Sequence, residues 1–160
     1  MPAYEKLNLN HQLCFALYAA THAITRAYRK QLGALGLTYP QYLVLLALWD
    51  CGVQPAKGPS VTILAQRLDL DSATLTPLLK RMAAAGLVAR VRDVGDERVL
   101  LIRPTAVAQA LKGKLARVQH KVACRSGLAP AEFMALRDTL HRLTETLTAK
   151  EARNASMKSR

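Results

Sequence analysis

Residues 68–87 read LDLDSATLTPLLKRMAAAGL, and they contain the clearest signals of local structure in the chain. Asp69 to Ser72 supply turn residues whose side chains can cap a helix, and a helix is expected from about Ala73 to Ala85, where a glycine ends it. Ser60 can cap a shorter helix before it, over Val61 to Arg67. Two short helices with a tight turn between them predict a helix-turn-helix.

The residues after this helix predict a β-hairpin. Positions 87–92, LVARVR, alternate with the period of a strand, and 99–102, VLLI, form a second extended run. DVGDE, at 93–97, supplies the turn between them. A hairpin that follows a helix-turn-helix is a wing, so residues of about 60–103 are expected to form a winged helix-turn-helix.

Helical spacing predicts long helices on both sides of this winged unit. One extends over residues 8–35, and Tyr39-Pro40 opens another that runs through Trp49, since proline is tolerated in a first turn. Beyond the hairpin, Pro104 is expected to open a helix that ends near Ser126. Pro130 opens the last one, which carries apolar residues at positions 133, 136, 140, 143 and 147.

These elements predict a single domain, residues 1–160, that is mainly α with a small β-hairpin wing. Residues of about 8–50 and 104–149 are expected to be dimerisation helices, because long amphipathic helices that flank a small unit can pack against a second copy. Residues 150–160 hold four basic residues and one acidic residue without an apolar stripe. A basic flexible tail is expected there.

The charge balance points to a polyanionic partner. Lys and Arg number 23 against 11 Asp and Glu, which gives a formal net charge of +12. Each basic side chain near a phosphate releases condensed counterions, so double-stranded DNA is the expected partner. No apolar run reaches the roughly 18 positions that a membrane span needs, and the N-terminus lacks the apolar region of a signal peptide. A cytoplasmic location without membrane contact is expected.

The second helix of the helix-turn-helix offers a face of short side chains to a major groove. Its apolar positions 75, 78, 79 and 82 can pack inward. Hydroxyls on the other face can reach base edges or phosphates, and long basic side chains can reach the flanking backbone. The DNA-binding residues predicted in this helix are Ser72, Ala73, Thr74, Thr76, Pro77, Lys80 and Arg81.

Asp96 and Arg98 stand two residues apart in the hairpin turn, so an extended chain points both to one side. Asp96 could then hold Arg98 for insertion into a minor groove. Plainer interpretations exist, with Ser72 as a helix cap and Asp96 and Arg98 as a surface pair. The combination of helix-turn-helix, wing and net positive charge favours DNA binding.

One of the three cysteines, at positions 14, 51 and 124, lies where a thiol can become reactive. Cys14 is near the start of the first helix, where the helix dipole and free amides favour a thiolate. Tyr18 and Tyr28 follow on the same helical stripe, together with two threonines. This hydroxyl-rich stripe marks Cys14 as a redox-sensing candidate, whereas Cys51 receives no role.

No catalytic or metal-binding constellation stands out. His11 precedes Cys14 by three residues and His120 precedes Cys124 by four, but no tight ligand pair or carboxylate accompanies either. A Ser/His/Asp order, a glycine-rich phosphate loop and paired carboxylates are all missing from the sequence. We therefore expect neither an enzyme nor a cofactor nor a metal site.

Residues 68–87, followed by Asp96-Glu97-Arg98, resemble the MarR family of dimeric winged-helix regulators. QLCFALY at 12–18 and LTYPQY at 37–42 are similar to the organic-hydroperoxide sensors of that family, of the OhrR type. The resemblance covers roughly residues 7–126. It implies a repressor that releases a pseudo-palindromic operator when an organic hydroperoxide oxidises Cys14, with Tyr28 and Tyr39 hydrogen-bonding the reactive cysteine across the homodimer.

The resemblance also suggests a role for Cys124, because it puts the end of the fifth helix close to the start of the partner's first helix. Some hydroperoxide sensors carry a second cysteine in about this region, and others use a small external thiol. Intersubunit Cys14–Cys124 disulfides are therefore expected, with a mixed disulfide as the alternative.

Two other functions remain open from the residues. The protein could be a regulator that senses a small aromatic or phenolic ligand in the dimer cleft, or a basic architectural DNA-binding protein without an effector. The tyrosines expected near Cys14 argue against the architectural protein. Whether Cys14 is needed for the response distinguishes a regulator that senses an oxidant from one that senses a small ligand.

Overall fold

The computed structural model describes residues 7–51 and 58–158, and the chain divides into two units, Met1–Gln119 and His120–Arg160. A short 3₁₀ helix, Leu9–His11, precedes the first α-helix. The remaining elements of the described residues are α1 Leu13–Gly33, α2 Tyr39–Asp50, α3 Val61–Leu68, α4 Ser72–Ala84, β1 Val88–Arg92, β2 Leu100–Pro104, α5 Ala106–Arg125 and α6 Pro130–Lys158. The prediction of a mainly α fold with a two-stranded wing is confirmed.

The ends of α4 follow from local chemistry. Asp71 is the N-cap and accepts a hydrogen bond from the backbone N–H of Thr74. At the other end, Gly86 adopts a φ of 68°, which glycine tolerates because it has no Cβ. The N–H of Leu87 then donates to the carbonyl of Met82 at 2.9 Å and that of Gly86 to Ala83 at 3.0 Å. This pair of hydrogen bonds is a Schellman motif.

The wing is an antiparallel hairpin in which Val88 faces Pro104 and Arg92 faces Leu100. Ser60 adds an isolated bridge to Leu101. Just before it, Gly58 has a φ of +67°, and a Cβ there would lie 2.3 Å from the carbonyl oxygen of Ile102. Only glycine lets the chain pass this close to β2.

Thr105 joins three elements at one point. Its Oγ1 donates to the carbonyl of Gly86 at 2.6 Å, and its backbone N–H donates to Leu87 at 3.1 Å. The same hydroxyl accepts a hydrogen bond from the N–H of Ala108 at 3.3 Å. The end of α4, the end of the wing and the start of α5 are thereby tied together.

The core lies where the winged unit meets α2 and α5. The four inward positions predicted in α4 are buried, as are residues from α2, α3, β2 and α5 that pack with them. These core residues include Leu45, Leu64, Leu75, Leu78, Leu79, Met82, Ile102 and Leu115. No helix in the described part of the chain has the length and apolar character needed to cross a bilayer.

Apolar side chains of α1 and α6 stay exposed in the single chain. On α6 they include the predicted stripe except Leu143, which is half-buried. The exposed large apolar residues of these two helices are Leu13, Tyr18, Ile24, Phe133, Met134, Leu136, Leu140 and Leu147. The two helices thus present apolar surface that a single chain leaves uncovered.

Two expected boundaries were wrong, and the cap of α4 is now defined. Pro104 ends β2 instead of opening α5, and Thr105 precedes the helix, because Pro104 lies at the end of a two-stranded sheet where a missing N–H is tolerated. The cap of α4 is Asp71, within the turn at 69–72 that was expected to supply it, and the plainer interpretation of Ser72 as the cap is wrong. The helix α6 continues past residue 149 to Lys158, where a flexible tail was expected, since glycine and proline are absent from 131–158. Residues 159–160 lie outside the described residues.

Candidate DNA interface and thiol site

The outer face of α4 carries the short side chains proposed for groove contact. Thr76 is half-buried, and the six other predicted positions are exposed. These exposed residues are Ser72, Ala73, Thr74, Pro77, Lys80 and Arg81. Because the buried residues of α4 lie on its opposite face, the helix presents a shallow surface with basic side chains toward its C-terminal end.

Asp71 fixes the N-terminal turn of this face. Its carboxylate accepts from the N–H of Thr74 at 2.6 Å and from the Thr74 hydroxyl at 3.1 Å. The backbone hydrogen bond from Thr74, followed by the side-chain one, lowers the pKa of Asp71. Since the Thr74 hydroxyl donates to Asp71, its oxygen lone pairs are left to accept a hydrogen bond from an incoming ligand.

An aspartate and an arginine are paired in the turn of the wing. Arg98 Nε lies 3.1 Å from Asp96 Oδ1, and the backbone N–H of Arg98 donates to the same oxygen at 3.0 Å. The side-chain hydrogen bond from Arg98, followed by its backbone one, lowers the pKa of Asp96. The Arg98 side chain remains 92% exposed. Arg92 also stiffens the turn by donating to the carbonyl of Glu97.

A groove between α2 and α4 adds candidates that the sequence analysis did not assign. It has a volume of about 410 Å³, and its lining includes Thr38 and Gln41 beside Thr74 and Arg81. Thr38 and Gln41 form a reciprocal capping box at the start of α2. That pattern is visible in the sequence, but its position beside α4 requires the tertiary fold.

Cys14 is the second residue of α1 and is exposed in the single chain. The Gln12 side chain makes no cap hydrogen bond at this helix start. Among the described residues, no side chain of the same chain hydrogen-bonds the Cys14 thiol. The surface around the thiol is therefore open to a second copy or to solvent.

Three tyrosines cluster where α1 meets α2. The ring centroids of Tyr28 and Tyr39 are 5.3 Å apart, and Tyr42 stacks on Tyr28 at 5.2 Å with an interplanar angle of 28°. Burial, followed by the electrostatic effect of Tyr28, raises the pKa of Tyr39. The sequence analysis paired Tyr28 with Tyr39 through the family resemblance but did not assign Tyr42.

Tyr18 does not join this cluster. It is 62% exposed, and its ring packs edge-on against His22 with centroids 4.3 Å apart. Its suggested support for the Cys14 thiolate remains a prediction.

Cys124 lies in the last turn of α5 and is exposed. Its Sγ is 3.6 Å from Nε2 of His120, one helical turn earlier. In the described part of the chain, no three His, Cys, Asp or Glu side chains come together as a metal site would need.

A second groove, of about 340 Å³, lies between α2 and α5. Its walls include Tyr42, Trp49 and Lys112, and the Lys112 ammonium lies 5.5 Å from the centre of the Trp49 ring. Trp49 Nε1 is buried, and no described residue accepts its hydrogen bond. An aromatic wall beside a cation is the chemistry that a planar organic anion would meet.

Comparison with known proteins identifies transcriptional regulators. The family model described as "Transcriptional regulator SarA/Rot" matches residues 26–115. The HTH-type transcriptional regulator TtmR of Methylorubrum extorquens (strain PA1) is 48% identical over 89% of this chain and 71% of its own length. The organic hydroperoxide resistance transcriptional regulator of Bacillus subtilis (strain 168) is 38% identical over 92% of this chain and 97% of its own length.

Solved structures agree with these matches. Reduced AbfR bound to DNA is 33% identical, with a TM-score of 0.72 over 91% of this chain and 96% of AbfR. Disulfide-formed AbfR is 35% identical, with a TM-score of 0.59 over 88% of this chain and 96% of that one. The relatives are regulators and not enzymes, so the predicted class is confirmed. The chain belongs to the MarR family of winged-helix, DNA-binding transcriptional regulators.

Proposed function

We propose that the protein is a homodimeric repressor that releases a pseudo-palindromic operator when an organic hydroperoxide oxidises Cys14. The observation that carries the proposal is the pairing of Tyr28 with Tyr39, with ring centroids 5.3 Å apart. It brings together the two phenols that the family resemblance assigns to the reactive cysteine. The name of the Bacillus relative adds support for a hydroperoxide effector.

The position of Cys14 suits a nucleophile. It is the second residue of α1 and so lies in the first turn of that helix. First-turn amides and the helix dipole stabilise negative charge there, and the thiolate is the form that attacks a peroxide.

A homodimer would complete this site. Cys14 and Tyr28 are separated by about 21 Å along one helix, so they cannot meet within a chain. An antiparallel crossing of two α1 helices would bring Tyr28 of one subunit toward the partner's Cys14. The exposed apolar side chains of α1 and α6 supply a surface that such an assembly could bury.

The chemistry would proceed in two steps. The Cys14 thiolate attacks one peroxide oxygen, the O–O bond breaks, and the alkoxide leaves and takes a proton to become an alcohol, which makes a sulfenic acid. The Cys124 thiol of the partner subunit, or a small external thiol, then attacks the Cys14 sulfur. The S–O bond breaks, a disulfide forms, and the hydroxide leaves with the thiol proton as water.

The test is operator binding by fluorescence anisotropy with and without cumene hydroperoxide. The parent protein should release DNA on oxidation and rebind after reduction. Cys14→Ser should bind DNA as the parent does but ignore the peroxide, and Cys51→Ser should respond like the parent. Peroxide-driven release by Cys14→Ser would place the sensing group elsewhere.

The groove between α2 and α5 favours one second candidate, a regulator that senses a small aromatic or phenolic acid. Lys112 could receive the carboxylate while the aromatic ring packs beside Trp49. Such a ligand would release the operator equally well from the parent and from Cys14→Ser. A peroxide response that requires Cys14, with no response to aromatic acids, would exclude it.

A further inference from the structure

We propose that His120 serves Cys124 first as a general base and then as a general acid when this thiol attacks oxidised Cys14. The inference rests on the proposed function, because it assumes that Cys124 of one subunit forms a disulfide with Cys14 of the other. Cys124 must lose a proton in that step, and His120 is the side chain placed to accept it. The two residues would form a nucleophile–base pair near the end of α5.

The two side chains are already in contact within one helix. Cys124 Sγ lies 3.6 Å from Nε2 of His120, a hydrogen-bonding distance for sulfur. They are four residues apart, and side chains at this spacing lie on the same face of a helix. A neutral imidazole that carries its proton on Nδ1 leaves Nε2 free to accept the thiol proton. Cys14 has no such neighbour in the described part of the chain.

The position of Cys124 in its helix makes a proton acceptor necessary. Cys124 lies in the last turn of α5, where the negative end of the helix dipole opposes a thiolate. The same end of the dipole favours a cationic imidazolium on His120. The helix also contains five lysine and arginine residues and no acidic one, and Lys121 and Arg125 flank the pair. A thiolate beside an imidazolium is therefore better accommodated here than a lone thiolate.

The same proton would be used twice in the step. His120 takes it from the Cys124 thiol as the sulfur attacks the Cys14 sulfenic acid, so that the S–S bond forms while the S–O bond breaks. The imidazolium then gives the proton to the leaving hydroxide, which departs as water. The peroxide that made the sulfenic acid has already supplied the oxidation. The products are one disulfide, one water and a neutral imidazole.

The first experiment uses the Cys14→Ser/Cys51→Ser protein, so that Cys124 is the only thiol. His120→Gln keeps a side chain that can accept a hydrogen bond but does not take up a proton at neutral pH. The rate of Cys124 alkylation by iodoacetamide at pH 7 should fall about three- to tenfold, the range expected for one lost hydrogen bond. Lys121→Gln, the matched control, removes the cation beside His120 and should change the rate less than about twofold. An unchanged rate in His120→Gln, or an equal loss in Lys121→Gln, would overturn the inference.

The second experiment follows the disulfide in the Cys51→Ser protein after addition of cumene hydroperoxide. With His120→Gln, Cys14 should be oxidised as fast as in this parent, and operator affinity and melting temperature should stay the same. The covalent dimer should form about tenfold more slowly, a smaller loss than acid–base groups usually cause because the pair is exposed. The Cys14 sulfenic acid should therefore persist and be trapped by dimedone.

The two proposals fail in different ways. A parent that forms the Cys14–Cys124 disulfide, with His120→Gln forming it equally fast, would refute the role of His120 alone. A parent whose Cys14 is oxidised without any disulfide to Cys124 would refute that step of the proposed function, and the role of His120 with it. A parent whose Cys14 is not oxidised would refute the proposed function as a whole.

Discussion

At the level of single residues, two aspartates shape the candidate DNA-reading surface. Asp71 accepts hydrogen bonds from the backbone and hydroxyl of Thr74, and so fixes where α4 starts. Asp96 accepts from the guanidinium of Arg98, and so fixes where that cation points. Hydrogen bonds lower the pKa of both carboxyls. Each acid therefore acts as an ionised acceptor at neutral pH.

Asp71→Asn should reveal the pH dependence of the cap. Asparagine also caps helices, but it does not titrate. Because the folded state lowers the pKa of Asp71, the carboxylate's extra stabilisation is present above its ordinary pKa and is lost as the pH falls through the lowered one. Thermal melts should show the parent's advantage at pH 7 shrinking below about pH 4. Asp71→Ala should melt lower than Asp71→Asn at pH 7, and a pH-independent difference between parent and Asp71→Asn would contradict the prediction.

Arg98→Ala should weaken operator binding by about tenfold, because it removes an exposed cation at the turn of the wing. Asp96→Ala keeps the Arg98 cation but removes the carboxylate that orients it, so a smaller loss of affinity is expected. The matched control is Arg137→Ala, which removes an arginine of α6 that pairs with Asp138. Operator affinities of the three variants, measured by titration at several salt concentrations, test this ranking. An equal loss in Arg137→Ala would show that only net charge matters.

At the level of elements, two glycines set the path of the chain around the wing. Gly86 ends α4 in a left-handed conformation, and Gly58 passes against the backbone of Ile102. By contrast, Gly113 lies inside α5 with open space where a Cβ would be. The same substitution at the three positions therefore meets three different environments.

Alanine at these positions should change the free energy of unfolding in opposite directions. Gly86→Ala should destabilise by about 1 kcal/mol, from backbone strain alone. Gly58→Ala should cost more, because its Cβ would collide with the carbonyl of Ile102. Gly113→Ala should stabilise by about 0.5–1 kcal/mol, since glycine is a poor helix former. Urea unfolding measures all three, and a destabilising Gly113→Ala would contradict this assignment.

Sequence patterns predicted these elements where capping residues and apolar periodicity agree. In α4, the acidic turn, the inward leucines and the terminal glycine all pointed to one helix. The prediction for Pro104 was wrong because proline suits both a first helical turn and a strand at a sheet edge. Only the pairing of the strands, in which Pro104 faces Val88, shows that it belongs to β2. Tyr42 was missed because α2 is apolar all round, so its periodicity cannot show which side chain meets Tyr28.

On the scale of the whole molecule, a net charge of +12 accompanies apolar side chains that a single chain leaves exposed. The charge favours nucleic acid as a partner. The apolar residues of α6 favour a second copy, and Leu136 and Leu140 are 49% and 37% exposed. A homodimer would place two winged units on one duplex, with half-sites about one helical turn apart.

Charges introduced into the α6 stripe should prevent dimerisation. Leu136→Glu with Leu140→Glu would bury two carboxylates in the interface, which is unfavourable, so sedimentation should show a monomer with weak operator binding. Thr139→Glu with Thr146→Glu makes the same change in charge on the same helix and should remain dimeric. A monomeric parent at DNA-binding concentrations would refute the dimer.

Oxidation should link the two subunits covalently. Two Cys14–Cys124 disulfides per dimer are expected after peroxide treatment, because both thiols are exposed in the single chain. Non-reducing electrophoresis should show a dimer band that disappears in Cys14→Ser and in Cys124→Ser. A band that survives Cys124→Ser but is lost in Cys51→Ser would identify a different partner thiol.

The junction at Thr105 has a mechanical consequence. One hydroxyl links Gly86, just past the end of α4, to the first turn of α5, so the two helices are coupled at this point. A rotation of α5 would therefore be transmitted to the end of α4 through this hydroxyl as well as through the hairpin. This coupling would be the same whether a new covalent bond or a bound small molecule caused α5 to rotate.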